Sequence, residues 1–453
     1  MPFSAAVKTI AALRKGPIAR GALNSITIRV TAIGLWFLQA VLTARLLGPG
    51  GYGVVAVALS VVSIAATVAM LGLGQLAVRE VAQLSAREDW GILRGFLRFS
   101  TLTVLAFSSL AAIGIAVLAE ATELFGPAFR TEILLGALLV PLLAMLNVLR
   151  GLCQGFGRIV AAQAPGDLLR PMILVAALGI VLLTATELTT TGYIAITIGA
   201  TLAGTSAAAL ILRRIVAAGV PASRPAMSLG KWGLASRAFL GIALVGILLG
   251  EVNTLMLGWL AGPTEAGLFQ PLARLAPVML IGLEAVGMRY SPRVSELLAL
   301  GETERLVRIT RLVTLTTTLV AVVTCAGILV LAPWILGAFG KAFTANAAAL
   351  GWIAAAQVFN AACGPVGMLL AMSGHQSRVL FGQVIALGAT VALGVWLIPQ
   401  DGAHGAALAM AGGIVVWNLL MLVSVRQHLG FDPSLFGVVI RYTRRRGGGD
   451  SQR

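Results

Sequence analysis

Twelve apolar runs recur along this chain, each about the length a helix needs to cross a bilayer. They lie at roughly 26–47, 52–73, 96–118, 133–149, 171–188, 193–212, 239–260, 266–288, 312–336, 347–372, 379–397 and 403–425. Backbone N–H and C=O groups inside lipid must be satisfied within their own segment, so each run is predicted to be helical. The runs at 133–149 and 171–188 are the shortest, and the first contains Pro141. The predicted fold class is all-α integral membrane: twelve transmembrane helices in two parallel-repeat six-helix lobes around a central cavity.

Composition excludes the soluble alternatives. Charged residues are 11% of the chain and hydrophobic residues 58%, with a mean hydropathy of +0.95. Soluble domains carry about 25% charged residues, and this chain could not cover a water-facing surface. Its 53 glycines suit closely packed membrane helices. The net charge of +16 does not indicate nucleic acid, because the basic residues sit singly or in small groups between apolar runs. Cys153, Cys325 and Cys363 lie in or beside apolar runs with no CxxC pair, so they read as small buried hydrophobes, with no metal site or disulfide framework. Residues 1–20 lack a long apolar stretch ending in a small-residue cleavage site. They read as a short basic amphipathic segment on the membrane surface or as a tail.

The loops set the orientation. With twelve spans and a cytoplasmic N-terminus, the outside loops hold only Arg45, Arg130 and Lys341 of the 33 Lys and Arg. Arg274 falls within a run, which leaves 29 on the inside, as the positive-inside rule requires. Glu120, Glu123, Glu132, Glu187, Glu265 and Asp401 are all outside. One span more or fewer would scramble this alternation. The predicted localisation is a multi-pass protein of the plasma (inner) membrane with both termini cytoplasmic.

An internal repeat divides the chain. At an offset of 214, LLGPGGYG (46–53) falls on LAGPTEAG (260–267), and ELFGPAF (123–129) falls on GAFGKAF (337–343). Between them Arg79 falls on Arg293, Leu84 on Leu298, Glu88 on Glu302 and Arg94 on Arg308. Six spans separate the copies, so they are parallel repeats about an axis along the membrane normal, an architecture used by transporters. The predicted organisation is a cytoplasmic N-terminal segment (1–23), a first six-helix lobe (24–213), a cytoplasmic linker (214–236), a second six-helix lobe (237–428) and a basic cytoplasmic tail (429–453).

The order and spacing of several segments carry a family resemblance. The first half contains ARLLGPGGYGVVAVALS, LGLGQLAVREVAQ, LRGLCQGFGR and PGDLLRPMIL. The second contains NTLMLGWLAGPTEAGLFQPLARLA and YSPRVSELLALGE. From about 24 to 428 the chain resembles the lipopolysaccharide and polysaccharide flippases of the multidrug/oligosaccharidyl-lipid/polysaccharide export superfamily. The resemblance implies flipping of a polyprenyl-pyrophosphate-linked oligosaccharide from the cytoplasmic to the outer leaflet by alternating access between two lobes. It implies membrane lipids as surroundings, and a glycan polymerase or glycosyltransferases as partners. The family often has an acid just before its LMLG-type segment; here that position is Asn253, with Glu251 two residues earlier.

Charges inside the spans are expensive and mark candidate sites. Glu251, Arg274 and Glu284 are the deep ones, all in the second half; their repeat partners in the first half are Phe37, Ser60 and Met70. Arg274 offers a delocalised donor fork to a pyrophosphate, or serves only to neutralise a nearby Glu. Glu251 is a candidate for proton or sodium coupling or a partner for Arg274, and Glu284 a cavity residue or a wet residue near the cytoplasmic mouth. Asn253 and Gln39 read as donors to sugar hydroxyls or as interhelical hydrogen bonds. Arg79, Arg293, Arg94 and Arg308 read as cytoplasmic-face residues that meet anionic lipid heads or attract the substrate. Spans 7 and 8, joined by LAGPTEAG, are expected to be antiparallel neighbours with Glu251 and Arg274 at one depth.

No nucleophile, base and orienting group come together, and His375, His404 and His428 all lie near loops. No catalytic residue, metal site or cofactor is predicted, and the chain is not read as an enzyme. Three rivals remain. An ion-coupled multidrug and toxin extrusion antiporter is expected to carry acids deep in its first lobe, and a lipid II flippase to add two helices and several cavity arginines. A non-transporting membrane subunit of a glycan-synthesis complex is the third.

Overall fold

The computed structural model describes residues 17–122, 125–280, 290 and 293–437, with side chains from 31 onward except at 238. Among these residues the regular structure is helical, with no strand. The helices are α1 (Pro17–Ala69), α2 (Leu73–Ala86), α3 (Trp90–Ala121), α4 (Arg130–Gly136), α5 (Leu139–Gly155), α6 (Ile159–Leu183), α7 (Thr190–Gly219) and α8 (Leu229–Leu260). After them come α9 (Pro263–Leu275), α10 (Thr303–Phe339), α11 (Ala347–Cys363), α12 (Val366–Met372) and α13 (Gln376–Leu429). The N-terminal segment up to residue 16 and the tail from 438 lie outside the described residues, as does Glu284.

Eight helical stretches are long and apolar enough to cross a membrane, nine when the bent pair α4 and α5 counts as one span. Two of these are double. Gly48 (φ 66°, ψ 177°) breaks α1, and Gly402 (φ 50°, ψ −125°) breaks α13. Each break leaves two segments of at least about 20 residues, enough for a crossing apiece. The remaining expected run, 266–288, begins as α9 and continues beyond the described residues. Large apolar side chains such as Leu102, Leu110, Ile113, Leu319, Val323 and Val330 are exposed along α3 and α10. In water this would be a cost; against acyl chains it is the expected lining.

Contacts divide the chain into two units: unit 1 holds the described residues up to Gly48 and Ala58–Leu244, unit 2 holds Pro49–Val57 and the described residues from Val245. In unit 1 the stretch expected as a linker is tied down. Arg94 on α3 donates to the carbonyls of Val220 (3.1 Å) and Pro221 (3.0 Å), and Ala226 N–H donates to Gly91 O (2.9 Å). Trp232 is fully buried between Phe96 and Phe99, each 5.2 Å away between ring centroids. This segment is therefore anchored to unit 1 through Val220, Pro221, Ala226 and Trp232, while most of residues 221–231 are exposed.

The repeated GP turn occurs twice, and the helices that start at its two prolines, Pro49 and Pro263, meet in unit 2. Gly48 and Gly262 occupy repeat-equivalent positions with nearly the same backbone angles, the latter at φ 90°, ψ 174°. An L side chain rarely takes these angles, and the proline after each cannot donate to a preceding turn, so one helix ends and another starts there. The two new helices cross at Gly53 and Gly267. A Cβ on Gly53 would lie 1.7 Å from Pro263 O, and one on Gly267 would lie 1.9 Å from Pro49 O. Each copy thus packs its glycine on the other copy's proline carbonyl. At the other break, Glu265 accepts a hydrogen bond from Ala403 N–H (2.8 Å), capping the second segment of α13. Unit 2 also has a cluster in which Tyr290, Val294, Leu297, Leu306, Leu369, Leu370, Met421 and Val425 close on one another. Cys153, Cys325 and Cys363 are buried free thiols, as read from their apolar surroundings.

Candidate functional site

The site is built on α8 and α9 of unit 2. These helices run antiparallel through the turn Ala261–Gly262, and Gln270 Nε2 donates to Thr254 Oγ1 at 3.0 Å, both residues buried. Residues three or four apart share a helix face. Glu251 lies three before Thr254 and Arg274 four after Gln270. The register of that hydrogen bond therefore places Glu251 and Arg274 on the next rung away from the turn. Glu251 is half-buried and Arg274 exposed, and both have interaction partners in the structure. Asn253, beside this rung, is 2% exposed, and its Oδ1 has no hydrogen-bond partner among the described residues.

Span 8 departs from the expected continuous helix. Among the described residues its α-helical part is α9, 13 residues or about 20 Å, and the α-helix is interrupted after it. Pro277 cannot donate a backbone hydrogen bond, and the chain passes into a short 3₁₀ turn at Val278–Leu280. Arg274 sits in the last turn of α9, where unpaired carbonyls and the helix dipole favour a cation. Gln357 on α11 reaches the same break: it is buried, and its Nε2 lies 3.5 Å from Ala276 O. Asn360 Nδ2 donates to Gln357 Oε1 at 3.2 Å. Interrupted membrane helices with polar groups at the break are where transporters hold polar cargo.

The structure brings Glu251, Asn253 and Arg274 onto adjacent helices. Gln39 lies in unit 1, buried, with Nε2 donating to Tyr193 Oη at 2.9 Å, an interhelical hydrogen bond. The four repeated arginines keep their register but differ in partners. Arg79 pairs with Glu80 at 3.1 Å and stacks 5.5 Å above Phe239. Its counterpart Arg293 pairs with Glu296 in an exposed i, i+3 bridge. Arg94 is bound to the backbone as described, whereas Arg308 is exposed on α10.

Thr254, Gln270, Gln357 and Asn360 escaped the sequence reading. They are uncharged, and an uncharged amide or hydroxyl inside an apolar run does not stand out as a charge does. Two buried acids of unit 1 escaped for the opposite reason: they lie outside the apolar runs. Glu80 is 2% exposed beside Arg79, and Glu132, at 8%, accepts from Thr190 Oγ1 at 2.6 Å. Among the described residues no three His, Cys, Asp or Glu side chains group as metal ligands.

The family model described as "Polysaccharide biosynthesis protein" matches residues 18–298, more than half of the chain. Among curated proteins, none matches the chain in sequence. Solved structures match in fold. An inward-facing multidrug-resistance MATE family transporter of the MOP superfamily is 15% identical, with a TM-score of 0.67 over 88% of this chain and 94% of that one. The lipid II flippase MurJ, in an inward closed conformation, is 13% identical, with a TM-score of 0.65 over 89% of this chain and 87% of that one. A MOP superfamily transporter from Pyrococcus furiosus is 13% identical, with a TM-score of 0.55 over 90% and 93%. At these identities the likeness establishes the fold, a multi-helix membrane transporter fold.

Proposed function

This chain belongs to the polysaccharide biosynthesis protein family, and from that membership we propose that it flips a polyprenyl-pyrophosphate-linked oligosaccharide across the plasma membrane by alternating access. The observation that carries the reading is Arg274 at the end of the interrupted helix α9, with Glu251 one rung across from it. A pyrophosphate in low dielectric needs a cation, and an arginine fork meets two of its oxygens at once. Glu251 holds Arg274 when cargo is absent and yields it when the pyrophosphate arrives. The amides of Asn253, Gln357 and Asn360 suit glycan hydroxyls, because each offers both a donor and an acceptor. Glu251 is also the group we assign to coupling, by taking up a proton or organising sodium.

Deleting the gene is expected to leave the lipid-linked oligosaccharide on the cytoplasmic leaflet and to deplete surface glycan. Fluorescent-lectin staining of intact cells, with leaflet-resolved analysis of the carrier, reads both. Normal surface glycan in a strain with no second flippase would refute the proposal. Altered drug sensitivity with normal glycan would transfer the reading to an antiporter.

The direction of transport rests on both termini and residues 213–238 being cytoplasmic. A single cysteine in that segment, in a variant lacking the three native ones, tests it. Ala222 is the better position because it is exposed, whereas the Ser223 hydroxyl is buried. Ala222→Cys should react with an impermeant maleimide only after permeabilisation. Labelling in intact cells would reverse the orientation.

A further inference from the structure

We propose that unit 1 carries a binding site for a lipid-borne phosphate headgroup, in a cavity among the basic ends of α2, α3, α5 and α7. The cavity measures about 240 Å³ and is lined by Ser85, Trp90, Phe156, Arg158, Ala218 and Gly219 among others. Ser85 closes α2, Trp90 opens α3, Phe156 and Arg158 form the turn from α5 to α6, and Ala218 and Gly219 end α7. None of these residues belongs to the transport site proposed above, and the proposal does not rest on it.

The chemistry of the lining suits an anion at a membrane interface. Arg158 is exposed to the cavity mouth, and its guanidinium can meet a phosphate through two parallel N–H bonds. The Ser85 hydroxyl oxygen is buried and has no hydrogen-bond partner among the described residues. A buried hydroxyl without a partner is uncommon and is satisfied when a ligand oxygen arrives. Trp90, amphipathic through its indole N–H, and the apolar Phe156 are half-buried walls at the ends of apolar spans, the level at which lipid headgroups lie. Arg87, Arg213 and Arg214 lie on the same helix ends, against the acids Glu88 and Asp89, so the rim is net positive.

The second half of the chain provides an internal comparison. Gly157 (φ 72°) and Arg158 form a turn like the one at Gly374 (φ 86°) and His375, which lies 217 residues on, three beyond the ungapped repeat register. Both turns open a helix, with cap angles of φ −90°, ψ 63° at Arg158 and φ −97°, ψ 37° at His375. In the second half the turn meets the end of the last described helix through edge-to-face rings, His375 against His428, with centroids 4.6 Å apart. In the first half the end of α7 lines the cavity with Ala218 and Gly219. The turn itself is held firmly, because a Cβ on Gly155 would come within 2.6 Å of Val81 Cβ on α2.

Two lipids share the chemistry: an anionic phospholipid of the membrane and the polyprenyl pyrophosphate of a glycan carrier. Native mass spectrometry of the full-length protein in detergent, titrated with dihexanoyl phosphatidylglycerol and with geranylgeranyl pyrophosphate, tests the site and separates the sources. The wild type should bind one saturable equivalent of at least one probe. Arg158→Ala should weaken it about tenfold or more, Ala218→Phe should remove it, and Arg158→Lys should keep part of it. Phosphatidylglycerol that pyrophosphate does not displace assigns the site to bulk membrane lipid. Displacement by pyrophosphate assigns it to the carrier. The proposal fails if the wild type binds neither probe. It also fails if Ala218→Phe and Arg158→Ala, melting as the wild type does, bind both as the wild type does.

Discussion

Arg274→Ala is expected to abolish glycan export while lowering the yield of folded protein. Two charge-assisted hydrogen bonds to a pyrophosphate contribute about 1.5–3 kcal/mol each. Losing both predicts a fall in transport of about 100-fold or more. The effect on folding follows from the register of the Thr254–Gln270 bond, which sets Glu251 opposite Arg274. Removing one partner of a fully buried pair costs about 3–5 kcal/mol. Glu251 is half-buried and Arg274 exposed, so the penalty here should be smaller. Glu251→Gln combined with Arg274→Gln should restore yield without restoring transport, because it removes both the stranded charge and the cation. Fluorescence-detected size exclusion reads the first quantity, and leaflet-resolved analysis of the carrier the second. Normal export by well-folded Arg274→Ala would eliminate the role assigned to this residue.

Gly53→Val and Gly267→Val should each prevent folding outright. The nearest atoms to a new Cβ at these positions are backbone, Pro263 O at 1.7 Å and Pro49 O at 1.9 Å. Backbone cannot swing aside as a flexible side chain does, so a helix must move. Steric insertions into packed cores typically cost about 1–3 kcal/mol; this crossing should exceed about 4 kcal/mol, the range reserved for severe single changes. Gly50→Ala is the control on the same turn. Its nearest neighbour is Thr264 Oγ1 at an ordinary 3.5 Å, and it should express normally. Wild-type expression and melting of Gly53→Val would show that the crossing is looser than described.

The two results differ in how far the sequence could lead to them. The GP turns, with their glycines in step at an offset of 214, are visible in the sequence, because a proline after a glycine stops a helix wherever it occurs. That each glycine packs on the other copy's proline carbonyl is not visible, since it depends on two helices distant in the chain crossing at one point. Arg274 was legible because a charge inside an apolar run is rare. Gln357 and Asn360 were not, because an uncharged amide gains its meaning only from the helix break it faces. Nor were Glu80 and Glu132, which sit just outside apolar runs and are buried by helices packed from elsewhere. Glu284 lies outside the described residues.

Hydrophobic run length and the absence of water in a bilayer determined the all-helical membrane fold, because these act on each segment separately. The partition of basic residues set the expected orientation in the same local way. Tertiary structure decided what packing decides. The stretch at 214–236, read as a linker, is bound into unit 1 through Arg94, Gly91 and Trp232. The α-helix of span 8 is interrupted after Leu275, with Gln357 docked at the break. The turn at Arg158 lines a cavity with the end of α7, while the turn at His375 meets His428. Each of these depends on which surfaces meet, and a run of hydropathy values carries no information about its neighbours.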